Sequence, residues 1–415
     1  FAFRAVEAQP KTGVANHESS GDPLFLSSLA MNGAGDGMSL MSGGLPGGQA
    51  SADNFGLKFR RIRGGVPTGL VDDLVPGTTT AFVLGGGLDV APTGDAPCAW
   101  IQTVAGQRSA FVRKFDRGSD SWGDTFELTP GLGLTAGTVV AELNNNGGLV
   151  AWTERDTGSN DARVFAGRFD GTGLNDVSPL GSTTGFKSSL RFSRRGVAGV
   201  VAFDSEGSDG TERVQAGRFT EAFGFEPVQQ LDGPNTSQVE AVEASRTGHL
   251  YVLFEREGKI TGDNERWYLS VANPGEPFGP PIPLHDRTDP ALNSAKMAVG
   301  DNGILTVVFS LVGADSGVWA RRFTPGQGLS PAVEITGLRR AVGPNSGDAL
   351  SVRADAQGNA VAVVAVPSGS GQTIRAALLP VDKSATVGIE LRDEPSQLPS
   401  RSQVGLALEP SGGAF

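Results

Sequence analysis

Strand-sized apolar runs alternate along the chain with glycine-centred turns. No window sustains a 3.6-residue apolar period without a Gly or Pro interrupting it. One run recurs with the same basic-then-apolar ending: Ala110-Phe-Val-Arg-Lys-Phe115, Val164-Phe-Ala-Gly-Arg-Phe169, Val214-Gln-Ala-Gly-Arg-Phe219 and Val318-Trp-Ala-Arg-Arg-Phe323. Weaker copies are Phe1 to Val6, Leu57 to Ile62, Arg266 to Val271 and Ile374 to Leu379. Their last residues lie at positions 6, 62, 115, 169, 219, 271, 323 and 379, spaced by 50 to 56 residues. That makes eight copies.

A second pattern precedes each copy. An apolar run leads into a turn glycine, at Gly94, Gly147, Gly196, Gly248, Gly303, Gly358 and Gly412, with a degenerate version over Gly33 to Gly37. Glycine accepts positive φ without a steric penalty, which suits tight hairpins. The run after the turn ends in an aromatic at Trp100, Trp152, Phe203, Phe254 and Phe309, and these are expected to be buried wedges between sheets. Each period therefore predicts four short strands: A before the glycine turn, B after it, C as the basic run, and D as a last short run such as Ala332 to Ile335.

Four antiparallel strands per period predict an all-β chain, a β-propeller of eight four-stranded blades, with seven as the alternative. Stacking such blades face to face buries what a lone blade exposes. The N-terminus starts as a C strand (Phe1 to Val6), and Val404 to Gly413 reads as an A strand with its turn. The expectation is one domain over 1–415. Residues 1–22 would form the outer strands of a closing blade, 23–400 the seven repeat blades, and 401–415 the inner strand or strands of the closing blade.

The run Ala354-Asp-Ala-Gln-Gly-Asn-Ala-Val-Ala-Val-Val364, together with Val318 to Phe323, resembles the repeat of secreted bacterial β-propeller proteins. The resemblance implies extracellular or cell-envelope placement and carries no activity. Other propeller families match poorly. No Trp-Asp dipeptide closes the blades, and Gly118-Ser-Asp-Ser-Trp-Gly123 breaks the sialidase Asp-box. The chain begins with Phe1 rather than Met, which fits either a removed leader or a trimmed chain.

Composition narrows the partners. Glycine is 60 of 415 residues, tyrosine 2 and cysteine 1, so no internal disulfide framework or cysteine-based zinc site is open to this chain. The net charge of -11 disfavours nucleic acid, whose phosphates call for clustered Lys and Arg. No apolar stretch approaches a membrane-spanning length.

Candidate chemistry is sparse. His17, His249 and His285 share no spacing with one another or with acids, and Cys98 reads as a small buried hydrophobe. The basic position of strand C (Arg61, Lys114, Arg168, Arg218, Arg322) is either an anion-binding ring or a set of ion pairs with acids such as Glu127 and Glu334. The pairs are favoured. Asp156, Asp161, Asp204, Glu206, Asp209, Glu255, Glu257, Asp263, Glu265 and Asp315 fall in the B–C loops. They read as a solvated acidic rim, with Asp204-x-Glu206-x-x-Asp209 the weak alternative for Ca²⁺.

Trp100 and Trp152 end B strands, Trp267 and Trp319 look equivalent within strand C, and Trp122 falls in a turn. This placement disfavours repeated glycan pockets. No catalytic, cofactor or metal residue is assigned.

Two functions remain. The first is a non-enzymatic extracellular or envelope scaffold that binds other surface proteins through the B–C/D–A face, where long loops such as Gly43 to Asn54 and Glu255 to Glu265 lie. The second is a propeller hydrolase or lyase acting on an extracellular glycan at the channel mouth. The first is favoured.

Overall fold

The structure is a computed structural model. It describes residues 24–392 except 33, 45–54, 65, 76–80, 83–86, 92, 105–106, 130–133, 145–146, 157–160, 185–189, 207–210, 233–235, 258–265, 286–290, 313–316, 336–349, 369–370 and 382–386. Its compact units are two, residues 1–192 and 193–415.

The first unit contains three antiparallel meanders of four strands. Sheet 1 runs Leu24–Met31, Gly37–Gly44, Phe55–Arg63, Val66–Val75. Sheet 2 runs Ala81–Phe82, Ala96–Val104, Gln107–Asp116, Ser121–Glu127. Sheet 3 runs Leu134–Asn144, Gly147–Asp156, Asp161–Phe169, Leu174–Thr184.

The second unit carries four more. Sheet 4 has Arg191–Arg195, which begins at the boundary, then Ala198–Glu206, Glu212–Thr220 and the fragments Gly224–Phe225 and Gln229–Gln230. Sheet 5 has Thr236–Ala244, Leu250–Glu257, Arg266–Ala272 and Ile282–Pro283. Sheet 6 has Ala291–Val299, Leu305–Val312, Gly317–Thr324 and the fragments Gly328–Leu329 and Val333–Glu334. Sheet 7 has Leu350–Ala354, Ala360–Ser368, Gly371–Leu379 and Val387–Arg392. The A-to-D order anticipated from the repeat is therefore observed seven times. The segments expected to form a closing blade, 1–22 and 401–415, lie outside the described residues.

The A–B turns share one hydrogen-bond pattern in five sheets. The amide four residues before the turn's last carbonyl donates to it, and the turn glycine donates back to the first carbonyl. Sheet 6 does this with Gly300 N to Ile304 O at 2.9 Å and Gly303 N to Gly300 O at 3.1 Å. Asn32 to Asp36, Ala91 to Asp95, Ser245 to His249 and Asp355 to Asn359 repeat it. The turn requires glycine at position four: Gly303 sits at φ 84° and Gly358 at φ 84°, a region closed to β-carbon-bearing residues at modest cost.

The turns also join neighbours. Thr247 N donates to Asp301 O at 3.2 Å, Asp301 N to Ala356 O at 3.0 Å, and in the first unit Asn32 Nδ2 to Ala91 O at 2.9 Å.

Four of the B-strand aromatics are wedges between sheets, as the pattern predicts. Trp100 packs with Leu40, Leu57 and Phe59 of sheet 1, and Trp152 with Ile101 and Val112 of sheet 2. Phe254 packs with Val200, Ala202 and Val214 of sheet 4, and Phe309 with Tyr251, Leu253 and Trp267 of sheet 5. All five, Phe203 included, are buried. Their cross-strand partners on strand C are also mostly aromatic: Trp100 opposite Phe111, Trp152 opposite Phe165, Phe254 opposite Tyr268 and Phe309 opposite Trp319. The first three pairs stack at 5.7 to 5.8 Å with nearly parallel rings. Such pairs add to the stability that burial alone supplies.

Strand D departs from expectation in sheets 4 to 6, where it is reduced to two-residue fragments. Pro227, Pro277, Pro280, Pro281 and Pro331 fall in these stretches, and each removes the amide that a ladder needs.

The strand-C cations are paired, but with other acids than Glu127 and Glu334. Arg61 meets Asp120 at 2.7 Å, Lys114 meets Asp95 at 3.0 Å, Arg168 meets Asp176 at 3.2 Å and Arg218 meets Glu226 at 3.7 Å. Arg322 instead donates to the carbonyls of Leu379, Pro380 and Val381 in sheet 7, and burial lowers its pKa.

Strand C turns into strand D through side-chain-capped turns. Asp170 accepts from the Thr172 hydroxyl at 2.8 Å, the Thr172 amide at 2.7 Å and the Gly173 amide at 2.8 Å. These bonds hold its carboxyl below the ordinary value, the Thr172 side chain first. A carboxylate depressed in the folded state adds stability above its unfolded pKa of about 3.9 and loses it as pH falls through the folded value. Asp170→Asn should therefore melt lower than the parent at pH 7, by a margin that is smaller at pH 3. Parallel thermal melts at both pH values check this.

Candidate functional site

The site emerges from two repeated positions at the end of the sheets where strand B passes to C and D passes to A. The first is the exit from strand D. There an apolar residue donates its amide to strand C: Leu128 to Ala110 O at 2.7 Å, Leu231 to Val214 O at 2.9 Å, Leu284 to Trp267 O at 2.9 Å and Ile335 to Val318 O at 2.8 Å. In each case the acceptor immediately precedes the strand-C residue opposite the wedge. The next residue after the donor is Thr129, Asp232 and His285 in sheets 2, 4 and 5. His285 thus occupies a structurally repeated position rather than an arbitrary place in a Pro-rich loop.

The second position lies two residues beyond the B-strand wedge, on the same face of the strand. It is Gln102, Glu154, Ser205, Arg256 and Leu311 in sheets 2 to 6. Gln102 accepts from Trp100 Nε1 at 3.2 Å and Glu154 from Trp152 Nε1 at 3.0 Å. Ser205 accepts from Gln215 Nε2 at 2.8 Å.

Between sheets 4 and 5 the two positions meet as an ion pair. Asp232, whose side chain is fully buried, accepts from Arg256 Nε at 3.1 Å, from the other arm of the same guanidinium and from the Ser237 hydroxyl. The Arg256 guanidinium lies 4.2 Å over the Tyr268 ring.

Between sheets 5 and 6 the equivalent positions are His285 and Leu311, and here a cleft of about 280 Å³ opens. Leu284, His285, Phe309, Leu311, Trp319, Arg321, Pro331 and Ala332 line it. Arg321 braces the walls. Its Nε donates to Ser330 O at 2.6 Å, and one terminal nitrogen donates to Pro283 O at 3.1 Å and Leu284 O at 2.8 Å. The Trp319 indole Nε1 is buried and makes no hydrogen bond among the described residues. The cleft is therefore apolar and aromatic, with an imidazole and an indole ring among its lining residues.

The other candidate residues are placed elsewhere. His249 belongs to the A–B turn of sheet 5, where its Nδ1 lies 3.0 Å from Thr247 Oγ1 and burial lowers its pKa. His17 lies outside the described residues. Cys98 is fully buried and burial pushes its thiol up, as suits a packed hydrophobe. Asp204 is not part of a solvated rim. It is 1% exposed and accepts the Val239 amide of sheet 5 at 2.6 Å.

Asp156 and Asp161 bound the third sheet's B–C connection, Glu206 ends a strand, and Glu255 and Glu257 lie on strand B of sheet 5. Asp209, Asp263, Glu265 and Asp315 are outside the described residues, as is most of Gly43 to Asn54. Among the described residues no group of three or more His, Cys, Asp or Glu is placed to hold a metal ion. No described helix is long and apolar enough to cross a membrane.

Two tryptophan assignments need correcting. Trp122 is in strand D of sheet 2, between Phe59 at 5.1 Å and Phe115 at 5.4 Å. Trp267 and Trp319 are not equivalent: Trp267 pairs with Glu255, whereas Trp319 pairs with the wedge Phe309. They reach the same interface from opposite sides.

No family model and no curated protein matches the sequence. Solved structures do. A puromycin hydrolase is 19% identical, with 93% of this chain and 57% of that chain covered and a TM-score of 0.48. The β-propeller domain of the Trilobed protease from Pyrococcus furiosus is 9% identical, with 90% and 99% covered and a TM-score of 0.48. The polysaccharide lyase Uly1 is 12% identical, with 76% and 82% covered and a TM-score of 0.44. The chain thus spans 57% of the length of the puromycin hydrolase that it matches. They are a hydrolase, the propeller domain of a protease and a lyase, so the expectation of a non-enzymatic scaffold gives way to its alternative. The described residues are all-β, arranged as seven small antiparallel sheets, and the solved structures that the chain resembles include a β-propeller domain.

Proposed function

We propose that this chain is the propeller of a hydrolase acting on peptide-like substrates, which it receives at the B–C/D–A end of its sheets. The observation that carries the reading is the cleft between sheets 5 and 6, where the Asp232–Arg256 arrangement of the neighbouring interface is replaced by His285 and Leu311. Clefts of this kind, apolar with few polar groups, are how proteins bind small organic moieties. An apolar lining suits amino-acid side chains better than a sugar, whose hydroxyls need a polar wall. The peptidase names among the neighbours agree in class. The eightfold repeat supports eight blades, and the resemblance to secreted repeat proteins supports extracellular or envelope placement.

The test is turnover by the protein as its own cell produces it, with aminoacyl and peptidyl p-nitroanilides and with uronate-containing polysaccharides. Release of nitroaniline from substrates with bulky apolar residues, faster than from those with acidic ones, is the expected result. Cleavage of polysaccharide alone, or of nothing above the buffer rate, would overturn the reading.

A further inference from the structure

The cleft between sheets 5 and 6 is walled mostly by apolar side chains, with Arg321 and His285 the exceptions. Arg321 commits its guanidinium to three main-chain carbonyls, at Ser330, Pro283 and Leu284. Those charge-assisted bonds tie the exit of sheet 5 to strand C of sheet 6. An acidic ligand would have to compete with them, and its own desolvation would go uncompensated among Leu284, Phe309, Leu311, Pro331 and Ala332. A cation would lose its hydration in the same lining, which offers it no carboxylate, so the occupant is uncharged.

Size and shape narrow it further. A cavity of roughly 150 Å³ lined by Leu, Ile and Phe accepts benzene. At about 280 Å³ this cleft admits a larger ring such as a phenol or an indole. One wall is the Trp319 ring, whose flat face favours offset stacking with another aromatic.

The contrast with the adjacent interface shows which residues set this apart. Where sheet 5 has Arg256 beyond its wedge, sheet 6 has Leu311, and where sheet 4 exits through Asp232, sheet 5 exits through His285. Leu311 and His285 are thus the specificity-determining positions.

We infer that the cleft is a binding subsite for one uncharged aromatic group, which in a peptide-like substrate is the side chain of an aromatic residue. The identification of that group as part of a substrate rests on the hydrolase reading above; the binding itself does not.

The experiment is a titration of the ¹⁵N-labelled protein with N-acetyltyrosinamide, followed at the tryptophan indole N–H resonances. Trp319→Phe assigns the relevant peak by its loss. N-acetylalaninamide and N-acetylglutamate amide serve as small and acidic comparators. The Trp319 indole peak should shift saturably with the aromatic amide and at least about tenfold more weakly with either comparator, a difference of about 1.4 kcal/mol.

The double variant His285→Asp/Leu311→Arg installs the neighbouring ion pair and should weaken binding at least tenfold. Leu311→Gln, which copies Gln102 of sheet 2, is the second variant in case the first does not fold. Its circular dichroism spectrum should match the parent's while affinity drops. An unmoved indole peak, equal affinity for the glutamate amide, or undiminished binding by a folded variant would each overturn the inference. Saturable aromatic binding without turnover of the matching anilide would overturn the hydrolase reading alone.

Discussion

Phe254→Ala is expected to remove about 3–5 kcal/mol of stability, the range for emptying a large aromatic from a packed core. Phe254 has no exposed surface and packs among Val200, Ala202, Val214 and Ala216 of the preceding sheet. It also stacks on Tyr268 at 5.8 Å, so truncation loses the pair as well as the burial. Strands on both sides fix the backbone, which limits collapse into the void. Denaturant unfolding should show a lower midpoint with an unchanged slope. Phe223→Ala is the control: the ring is 84% exposed, and its loss should change stability by less than about 0.5 kcal/mol. Equal effects of the two substitutions would mean that the wedges do not carry the sheet-to-sheet packing.

Asp232→Ala should cost about 3 kcal/mol, the low end for breaking a buried ion pair, because Arg256 keeps partial contact with solvent. The penalty comes from three groups left unmatched at once, the two guanidinium donors and the Ser237 hydroxyl. Replacing both charged partners should recover most of the loss, since a well-packed apolar pair can match a buried ion pair. Asp232→Ala combined with Arg256→Leu is therefore expected to be more stable than Asp232→Ala alone. Thermal and denaturant melts of the two variants decide it. An additive double variant would mean that the two side chains act independently.

Much of the architecture is legible in the sequence because its signals are local. A turn glycine, a wedge and a basic run lie within one repeat, and each constrains backbone or burial without reference to distant residues. The wedges at Trp100, Trp152, Phe254 and Phe309 and the burial of Phe203 follow from that.

Register does not. The B–C connection is 258–265 in sheet 5 and 313–316 in sheet 6, so counting back from the end of strand C places Trp267 with Trp319. A one-residue offset sends side chains to opposite faces, and the structure shows Tyr268, not Trp267, opposite the wedge. Asp204 was misplaced for a related reason: an acid near a strand end looks solvated until its neighbouring sheet supplies the Val239 amide.

The cleft is the larger omission. Its walls come from residues 284 and 285, 309 and 311, 319 and 321, and 331 and 332, which no motif links. The available signal was Leu311, apolar where Gln102, Glu154, Ser205 and Arg256 are polar, and it becomes visible only once the repeats are aligned on their wedges.

The A–B turns have a direction. Thr247 gives its amide to the following sheet, Asp301 gives its own to the next one along, and Asn32 does the same with its side chain in the first unit. Asp301 also receives what Thr247 donates, so its turn is both giver and taker. A repeat of this kind carries a matched head and tail. Copying such a segment in tandem restores every turn contact at the new junctions, whereas inserting a residue within Gly300 to Ile304 breaks the contacts to both neighbours. In sheets 5 to 7 a change of length is therefore better absorbed at the B–C connections than within these A–B turns.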